Sequence, residues 1–189
     1  HLSQPTISGY FCRLITPIMN VLVLGSGGRE HALSHKIVQS TKCEKLFIAP
    51  GNGGTAALGE NVLLDIENAT EVAAFVKAQA IDIVVIGPEA PLVAGVHDGL
   101  KNFPELENLV VVGPRQAAAE LEGSKDFAKE FMMRNNIPTA AYQTFTKDTL
   151  EEGQIFLETL EAPYVLKADG LAAGKGVLII EDLDEAKEE

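Results

Sequence analysis

The first candidate for chemistry is a glycine-rich segment, GSGGREHAL, at residues 25–33. It follows a continuous apolar run and precedes an amphipathic stretch, so we predict a tight turn between a strand and a helix. Gly25, Gly27 and Gly28 would let backbone N–H groups approach an anion at the start of that helix, where Arg29 would add positive charge. Alone, the segment is compatible with a phosphate site or with a tight turn that has no further function.

The same segment argues against a dinucleotide site. Such sites use the pattern G-x-G-x-x-G, and here Glu30 occupies the place of the third glycine. An acidic residue should also follow the second strand to bind the ribose, whereas that strand ends in Ile48, Ala49 and Pro50. An NAD-dependent enzyme is therefore disfavoured.

Two further polar loops follow predicted strands, PGNGGT (50–55) and GPEAPLVAG (87–95). The carboxyl ends of parallel strands meet at one edge of a sheet, where open α/β sheets bind ligands. Glycine and proline often do no more than end strands. Glu89, however, is predicted to lie in a loop, where its charge is not needed to keep the surface of a helix in contact with water. We therefore favour a small-molecule site over turn chemistry alone. Beyond the first loop, its candidate residues are Gly51, Asn52, Gly53, Gly87, Pro88, Glu89, Pro91 and Leu92.

A second candidate site combines Lys125 with the segment LKADGLAAGKGV (166–177). A glycine-rich hairpin can lie over a triphosphate and donate backbone N–H groups, and lysines supply charge to phosphate oxygens. Lys167 within an apolar strand indicates an anionic partner. The segment is not a P-loop, because its glycines and lysine do not fit G-x-x-x-x-G-K-[ST]. The candidate phosphate-binding residues are Lys125, Lys167, Gly170, Gly174, Lys175 and Gly176.

The loops need a scaffold, and strand-like and helix-like segments alternate up to residue 114. The predicted strands are 20–25, 45–51, 61–65, 82–88 and 109–114, and the predicted helices are 29–40, 68–79 and 91–103. This alternation is typical of an α/β fold with a doubly wound parallel sheet and helices on both faces. We assign residues 19–114 to a substrate-binding domain.

From residue 115 the pattern becomes α+β. We predict two helices separated by Gly123 and Ser124, with Ser124 as the N-cap of the second. A strand-like segment (139–145), a helix (149–160) and two strands around the glycine-rich turn follow. Residues 115–189 therefore form the start of a second unit.

Composition narrows the function classes. A net charge of −12 gives no general attraction to nucleic acid or anionic membranes. Cys12 and Cys43 have no metal-ligand spacing with histidine, so we expect two unpaired thiols in a reducing cytosol. Residues 1–18 lack the features of a signal peptide, and we interpret them as an extension, native or added, before a natural start at Met19.

From about Met19 to its end, the chain resembles the glycinamide ribonucleotide synthetase family. The resemblance rests on five segments in this order and spacing: GSGGREHAL, APGNGGT, GPEAPLVAG, EGSKDFAKEFMMRNNIPTAAY and YVLKADGLAAGKGV. It implies a Rossmann-like domain before an ATP-grasp domain, and ligation of glycine to 5-phosphoribosylamine with ATP and Mg²⁺ in purine biosynthesis, through a glycyl phosphate. Carried over by position, Lys125 and Lys167 would contact the ATP phosphates, beneath the loop 170–176. Residues 25–29 and 87–92 would bind phosphoribosylamine.

Chains of this family continue well beyond the length seen here. The resemblance therefore implies that the Mg²⁺ ligands lie outside residues 1–189, and that this chain is an inactive fragment. It also implies a cytoplasmic monomer with small-molecule substrates and no nucleic acid or membrane partner. A competing hypothesis is a stand-alone phosphosugar or nucleotide binding module without catalysis, and sequence beyond residue 189 would discriminate between the two.

Overall fold

The computed structural model describes residues 18–172 and 175–189. The expected extension falls outside these residues, apart from Ile18. The strands are β1 (Met19–Gly25), β2 (Cys43–Pro50), β3 (Glu60–Asn61), β4 (Ile83–Ile86), β5 (Val110–Val112), β6 (Tyr164–Lys167) and β7 (Val177–Ile180). The helices are α1 (Gly28–Ile37), α2 (Ala69–Ala78), α3 (Glu89–Val93), α4 (Val96–Lys101), α5 (Gln116–Gly123), α6 (Lys125–Arg134), α7 (Leu150–Glu158) and α8 (Leu183–Glu188).

The first five strands form one parallel sheet in the order β3-β2-β1-β4-β5. This order confirms the predicted doubly wound α/β fold. The central strand β1 is buried continuously from Val21 to Leu24, as expected for a parallel strand that is covered on both faces. Its side chains alternate between two cores: Leu22 and Leu24 in one, Val21 and Val23 in the other.

The sheet reverses its direction of growth between β1 and β4. Two backbone bonds fix the chain at this point: Gly51 donates to Gly25 O at 3.2 Å, and Gly87 donates to Leu24 O at 3.1 Å. The three loops that follow β1, β2 and β4 therefore start side by side. Such a switch point is the usual place for a ligand in an open α/β sheet.

Local structure differs from the prediction around the third loop. The helix predicted over 91–103 is two short helices, because Gly95 adopts φ +83° between them and breaks the helical hydrogen-bond pattern. Glu89 begins α3 instead of lying in a loop, and Pro91 lies in the first turn. The strand predicted over 61–65 is only the two-residue β3 at the sheet edge.

Polar side chains cap helices α2 and α6, and the Ser124 cap was predicted. Asn68 caps α2, where its side-chain oxygen accepts the Thr70 N–H at 3.0 Å. Ser124 caps α6 and accepts the Phe127 N–H at 3.1 Å. In each case a side-chain oxygen satisfies an N–H that has no partner within the helix.

The second unit contains an antiparallel hairpin of β6 and β7 around the glycine-rich turn, as predicted. Tyr164 and Ile180 pack with Leu157 of α7 and Ala186 of α8 in a small core. Helix α5 instead packs on α3, and its Ala119 is buried in the core of the first sheet. The domain boundary after residue 114 stays a prediction.

The strand predicted over 139–145 is wrong. Within the described residues this segment pairs with no strand, and an extended chain needs a partner to form a ladder. Lys129 of α6 holds it instead, with Nζ donating to Thr139 Oγ1 at 2.6 Å and to Ala140 O at 2.9 Å. No helix in the described part of the chain is both long and apolar enough to cross a membrane.

Candidate functional site

An open cleft of about 430 Å³ lies at the switch point. It is bounded by the loop after β1, by the start of α3, and by one apolar side chain from the loop before α2. Its lining residues are Gly25, Ser26, Gly27, Gly28, Arg29, Glu30, Ile66, Pro88, Glu89, Ala90 and Pro91. Two of the three predicted loops therefore line one cleft.

The first loop presents backbone donors to this cleft. Gly25 adopts φ +123°, which turns the chain from β1 into α1. Gly28 and Arg29 are the first two residues of α1, and their N–H groups have no acceptor within the helix. The helix dipole adds partial positive charge at the same place, so the loop can bind an anion.

A buried carboxylate supports this loop from below. Glu30 is only 4% exposed, and its Oε2 accepts the Gly27 N–H at 2.6 Å. The Gly27 N–H is therefore already satisfied by the protein, whereas the N–H groups of Gly28 and Arg29 have no protein acceptor among the described residues.

Arg29 joins the first loop to the third. Its Nη1 donates to Gly87 O at 2.6 Å, and its Nη2 lies 3.4 Å from Glu89 Oε1. The Glu89 backbone N–H and, to a smaller degree, Arg29 lower the pKa of the Glu89 carboxyl, whereas partial burial opposes them. Because the Arg29 side chain is 60% exposed, the guanidinium remains accessible from the cleft.

Asn52 joins the second loop to the first. Its Nδ2 donates to Ser26 O at 2.8 Å, while its Oδ1 accepts the N–H groups of Gly54 and Thr55. The buried Thr55 donates to Asn61 Oδ1 at 2.8 Å, which fixes the loop against the edge strand. The second loop thus supports the cleft without lining it.

The structure sorts the predicted residues of this site into three groups. Those in the cleft are Gly25, Gly27, Gly28, Arg29, Pro88, Glu89 and Pro91. Those that do not line it are Gly51, Asn52, Gly53 and Gly87, of which Gly87 contributes its carbonyl to Arg29. Leu92 is buried in the core of the first sheet. Sequence reasoning missed Ile66 and the buried role of Glu30, since both depend on how distant parts of the chain pack together.

In the second candidate site, Asp169 connects the glycine-rich segment to the start of α6. Its Oδ1 accepts the Lys125 N–H at 2.6 Å, and its Oδ2 accepts the Ser124 hydroxyl at 3.0 Å. Burial acts to raise the pKa of Asp169, but backbone N–H groups, first that of Lys125, and the Ser124 hydroxyl lower it below its ordinary value. Lys125 Nζ in turn donates to Gly170 O at 2.7 Å, so the base of the glycine-rich turn is fixed to the start of α6.

Of the other predicted residues of this site, the two lysines are exposed and the described glycines are half-buried. Lys167 ends β6 with its side chain in solvent, and among the described residues no acid pairs with it. The anionic partner inferred from its apolar strand is therefore not supplied by this part of the chain. Gly170 has φ +89°, and Lys175 and Gly176 lead into β7. Gly174 lies outside the described residues. Within those residues no group of three or more His, Cys, Asp or Glu could hold a metal ion.

Two family models together match residues 19–189. Residues 19–122 match "Phosphoribosylglycinamide synthetase, N domain", and residues 123–189 match "Phosphoribosylglycinamide synthetase, ATP-grasp (A) domain". Curated relatives named phosphoribosylamine–glycine ligase include one from Mesorhizobium japonicum, 53% identical over 169 residues, and one from Vibrio vulnificus, 51% identical over 172 residues. They match 89% and 90% of this chain, which spans 38% and 39% of their own lengths.

Solved structures agree with this result. The crystal structure of phosphoribosylamine–glycine ligase from Thermotoga maritima is 35% identical, with a TM-score of 0.65 over 89% of this chain and 38% of its own. Carboxyaminoimidazole ribonucleotide synthase from Aspergillus clavatus, complexed with ATP, is 21% identical with a TM-score of 0.65, over 90% of this chain and 44% of its own. At that identity the second likeness shows the fold alone.

Proposed function

We propose that this chain, which belongs to the phosphoribosylglycinamide synthetase family, provides the phosphosugar-binding domain and the first part of the ATP-grasp domain of a phosphoribosylamine–glycine ligase. The whole activity would join glycine to 5-phosphoribosylamine at the expense of ATP. The partners of the chain would then be small molecules.

The observation that carries the proposal is the cleft at the switch point. The N–H groups of Gly28 and Arg29, the dipole of α1 and the exposed guanidinium of Arg29 converge on it. A phosphate dianion is the ligand that such a set of donors favours. The 5-phosphate of the sugar would occupy this place, with Glu89 available to accept hydrogen bonds from sugar hydroxyl groups.

The second constellation would hold the phosphates of ATP. Lys167 and Lys175 are exposed on either side of the glycine-rich turn, so both ammonium groups are free to approach phosphate oxygens. Lys125 is anchored at the base of that turn. Residues 170–176 would cover the phosphates. Lys125 Nζ would then have to leave its hydrogen bond to Gly170 O in order to contact a phosphate oxygen.

Mg²⁺ fits this chain poorly, because the described residues contain no cluster of acidic ligands. Magnesium prefers an octahedral set of oxygen ligands that includes carboxylates. In the whole enzyme, the glycine carboxylate would attack the γ-phosphate to give glycyl phosphate and ADP. The amine of phosphoribosylamine would then displace phosphate.

This chain would contribute position and charge to those steps rather than a covalent group. We further propose that a polypeptide of these 189 residues binds the phosphosugar but does not turn over. A phosphate-release assay with ATP, glycine, Mg²⁺ and fresh phosphoribosylamine tests this part. Turnover near typical enzyme values of about 1–1000 per second would contradict it.

Calorimetric titration with ribose 5-phosphate tests the binding function, with ribose as the control ligand. We expect saturable binding of ribose 5-phosphate that weakens with salt, because the phosphate meets positive charge in a protein of net charge −12. Equal affinity for ribose would overturn the assignment of a phosphate site.

A further inference from the structure

Glu30 is a buried carboxylate at the position that dinucleotide-binding loops fill with glycine. It follows Gly25 and Gly27 at the spacing of the third glycine in the dinucleotide pattern. That third glycine normally allows close packing between the helix and the strand. Here the position carries a side chain that is 4% exposed and that lines the cleft.

The side chain of Glu30 runs across the switch point. A methyl carbon placed on Gly25 would lie 2.6 Å from Glu30 Cγ, and one placed on Gly87 would overlap with Glu30 Oε1. Gly25 ends β1 and Gly87 follows β4, so the carboxylate lies between the carboxyl ends of these two strands. The lack of side chains on both glycines creates the space that Glu30 fills.

This arrangement changes what the cleft can accept. In dinucleotide-binding folds the pyrophosphate lies in the crevice at the switch point, on the donors of the first loop. Here a resident anion occupies the floor of that crevice and uses the Gly27 N–H. The donors left for a ligand are those of Gly28 and Arg29, farther along the helix start.

We propose that Glu30 is a specificity-determining residue, which makes the site select a sugar with one terminal phosphate over a ligand bridged by pyrophosphate. The carboxylate acts in two ways: it fills the volume that a second phosphate would need, and its charge repels that phosphate. The inference rests on the proposed phosphosugar function and names the structural feature that limits the ligand class.

The test compares ribose 5-phosphate with ADP-ribose in the 189-residue chain and in the variants E30Q and E30A. Binding is followed at the amide signals of Gly27 and Gly28 by NMR, so that nucleotide bound near Lys125 does not contribute. E30Q keeps the volume and an acceptor for Gly27 but removes the charge, whereas E30A removes all three. E44Q is the matched control, because Glu44 is an exposed carboxylate near the opposite end of the strands.

We expect the wild-type chain to bind ribose 5-phosphate more tightly than ADP-ribose. In E30A the ratio of the ADP-ribose dissociation constant to that of ribose 5-phosphate should fall by about tenfold or more. E30Q should lower it by a smaller factor, and E44Q should leave it unchanged. Thermal unfolding of each variant checks that the fold is kept, and E30Q alone decides the question if E30A does not fold.

Two failures are distinguishable. If the wild-type chain binds ribose 5-phosphate at this site but the preference stays the same in E30Q and E30A, the role of Glu30 is wrong and the proposed function stands. If the wild-type chain gives no shifts at Gly27 and Gly28 with ribose 5-phosphate, the proposed function itself fails, together with this inference.

Discussion

The guanidinium of Arg29 donates to the carbonyl oxygen of Gly87 over 2.6 Å, which fixes the loop after β1 to the loop after β4. The arginine is thus held at the cleft before any ligand arrives. Such preorganisation reduces the entropy that is lost on binding. The guanidinium of Arg29 therefore holds two loops together and also leaves charged atoms exposed, which can contact a ligand.

Replacing Arg29 removes both contributions, and binding and unfolding measurements report on them separately. We expect R29A to weaken ribose 5-phosphate binding by about tenfold or more, or roughly 1.4 kcal/mol, because a charge-assisted contact is lost. Exposed ion pairs such as Arg29–Glu89 contribute only about 0–1 kcal/mol. R29A also removes the hydrogen bond to Gly87 O, and such bonds contribute about 0.5–3 kcal/mol, so the free energy of unfolding should fall as well. R115A is the control, since the exposed Arg115 lies 4.0 Å from Asp98, outside the cleft. Equal affinity in R29A and R115A would exclude Arg29 from the phosphate site.

Because Glu30 packs against Gly87, substitutions at these two residues should have non-additive effects on the free energy of unfolding. G87A should destabilise the chain by roughly 1–3 kcal/mol, because the new methyl group overlaps with a buried side chain. G53A is the matched control, since a methyl group there meets nothing within 4 Å. Denaturant unfolding measures both changes.

In a chain that already carries E30A, G87A should lower the free energy of unfolding by less than it does in the wild-type chain. The difference should exceed about 0.5 kcal/mol, which is the lower end of the coupling energies between contacting residues. Additive effects in this double-mutant cycle would show that the two residues do not share the space at the switch point.

Much of the fold was accessible from sequence because its signals are local. The continuous apolar run at β1 and the glycine after it predict a buried parallel strand and a tight turn, and both are present. The cap at Ser124 follows from side-chain chemistry within a few residues. Three loops meeting at one sheet edge follow from the topology of parallel strands.

Features set by distant contacts were not accessible. The segment 139–145 has strand-like residues, but its conformation depends on Lys129 and on the lack of a pairing strand among the described residues. The role of Asp169 was not predicted from the sequence, because its partners at the start of α6 lie 43 to 45 residues away in the chain. Ile66 lines the cleft only through the path of the loop before α2.

The contacts of Asp169 predict a pH-dependent contribution to stability. Its pKa is lowered in the folded chain, so the stabilisation is present above the unfolded value of about 3.9 and is lost as pH falls through the folded value. D169A should lower the free energy of unfolding by roughly 1 kcal/mol at neutral pH, the usual effect of a capping side chain. The difference from wild type should shrink at acidic pH.

Denaturant unfolding at several pH values measures this difference. The control is E122A, which removes an exposed carboxylate from α5. A gap between D169A and wild type that stays constant into the acid range would rule out the ionised carboxylate as its cause.

Lys167 should matter for nucleotide binding and not for folding. Because it is exposed at the end of β6, K167A should keep the thermal stability of the wild-type chain and lower its ATP affinity by about tenfold. K147A removes an exposed lysine elsewhere in the second unit and should leave the affinity unchanged. Fluorescence titration with a labelled ATP analogue gives both values, and equal affinities would remove Lys167 from the proposed site.

Amide chemical-shift mapping with ribose 5-phosphate tests the central claim most directly. The account predicts saturable shifts at the amides of Gly27, Gly28, Arg29 and Glu89, with ribose at the same concentration causing much smaller ones. Shifts confined to residues 125–189, or shifts of equal size with ribose, would contradict a phosphosugar site at the junction of β1 and β4.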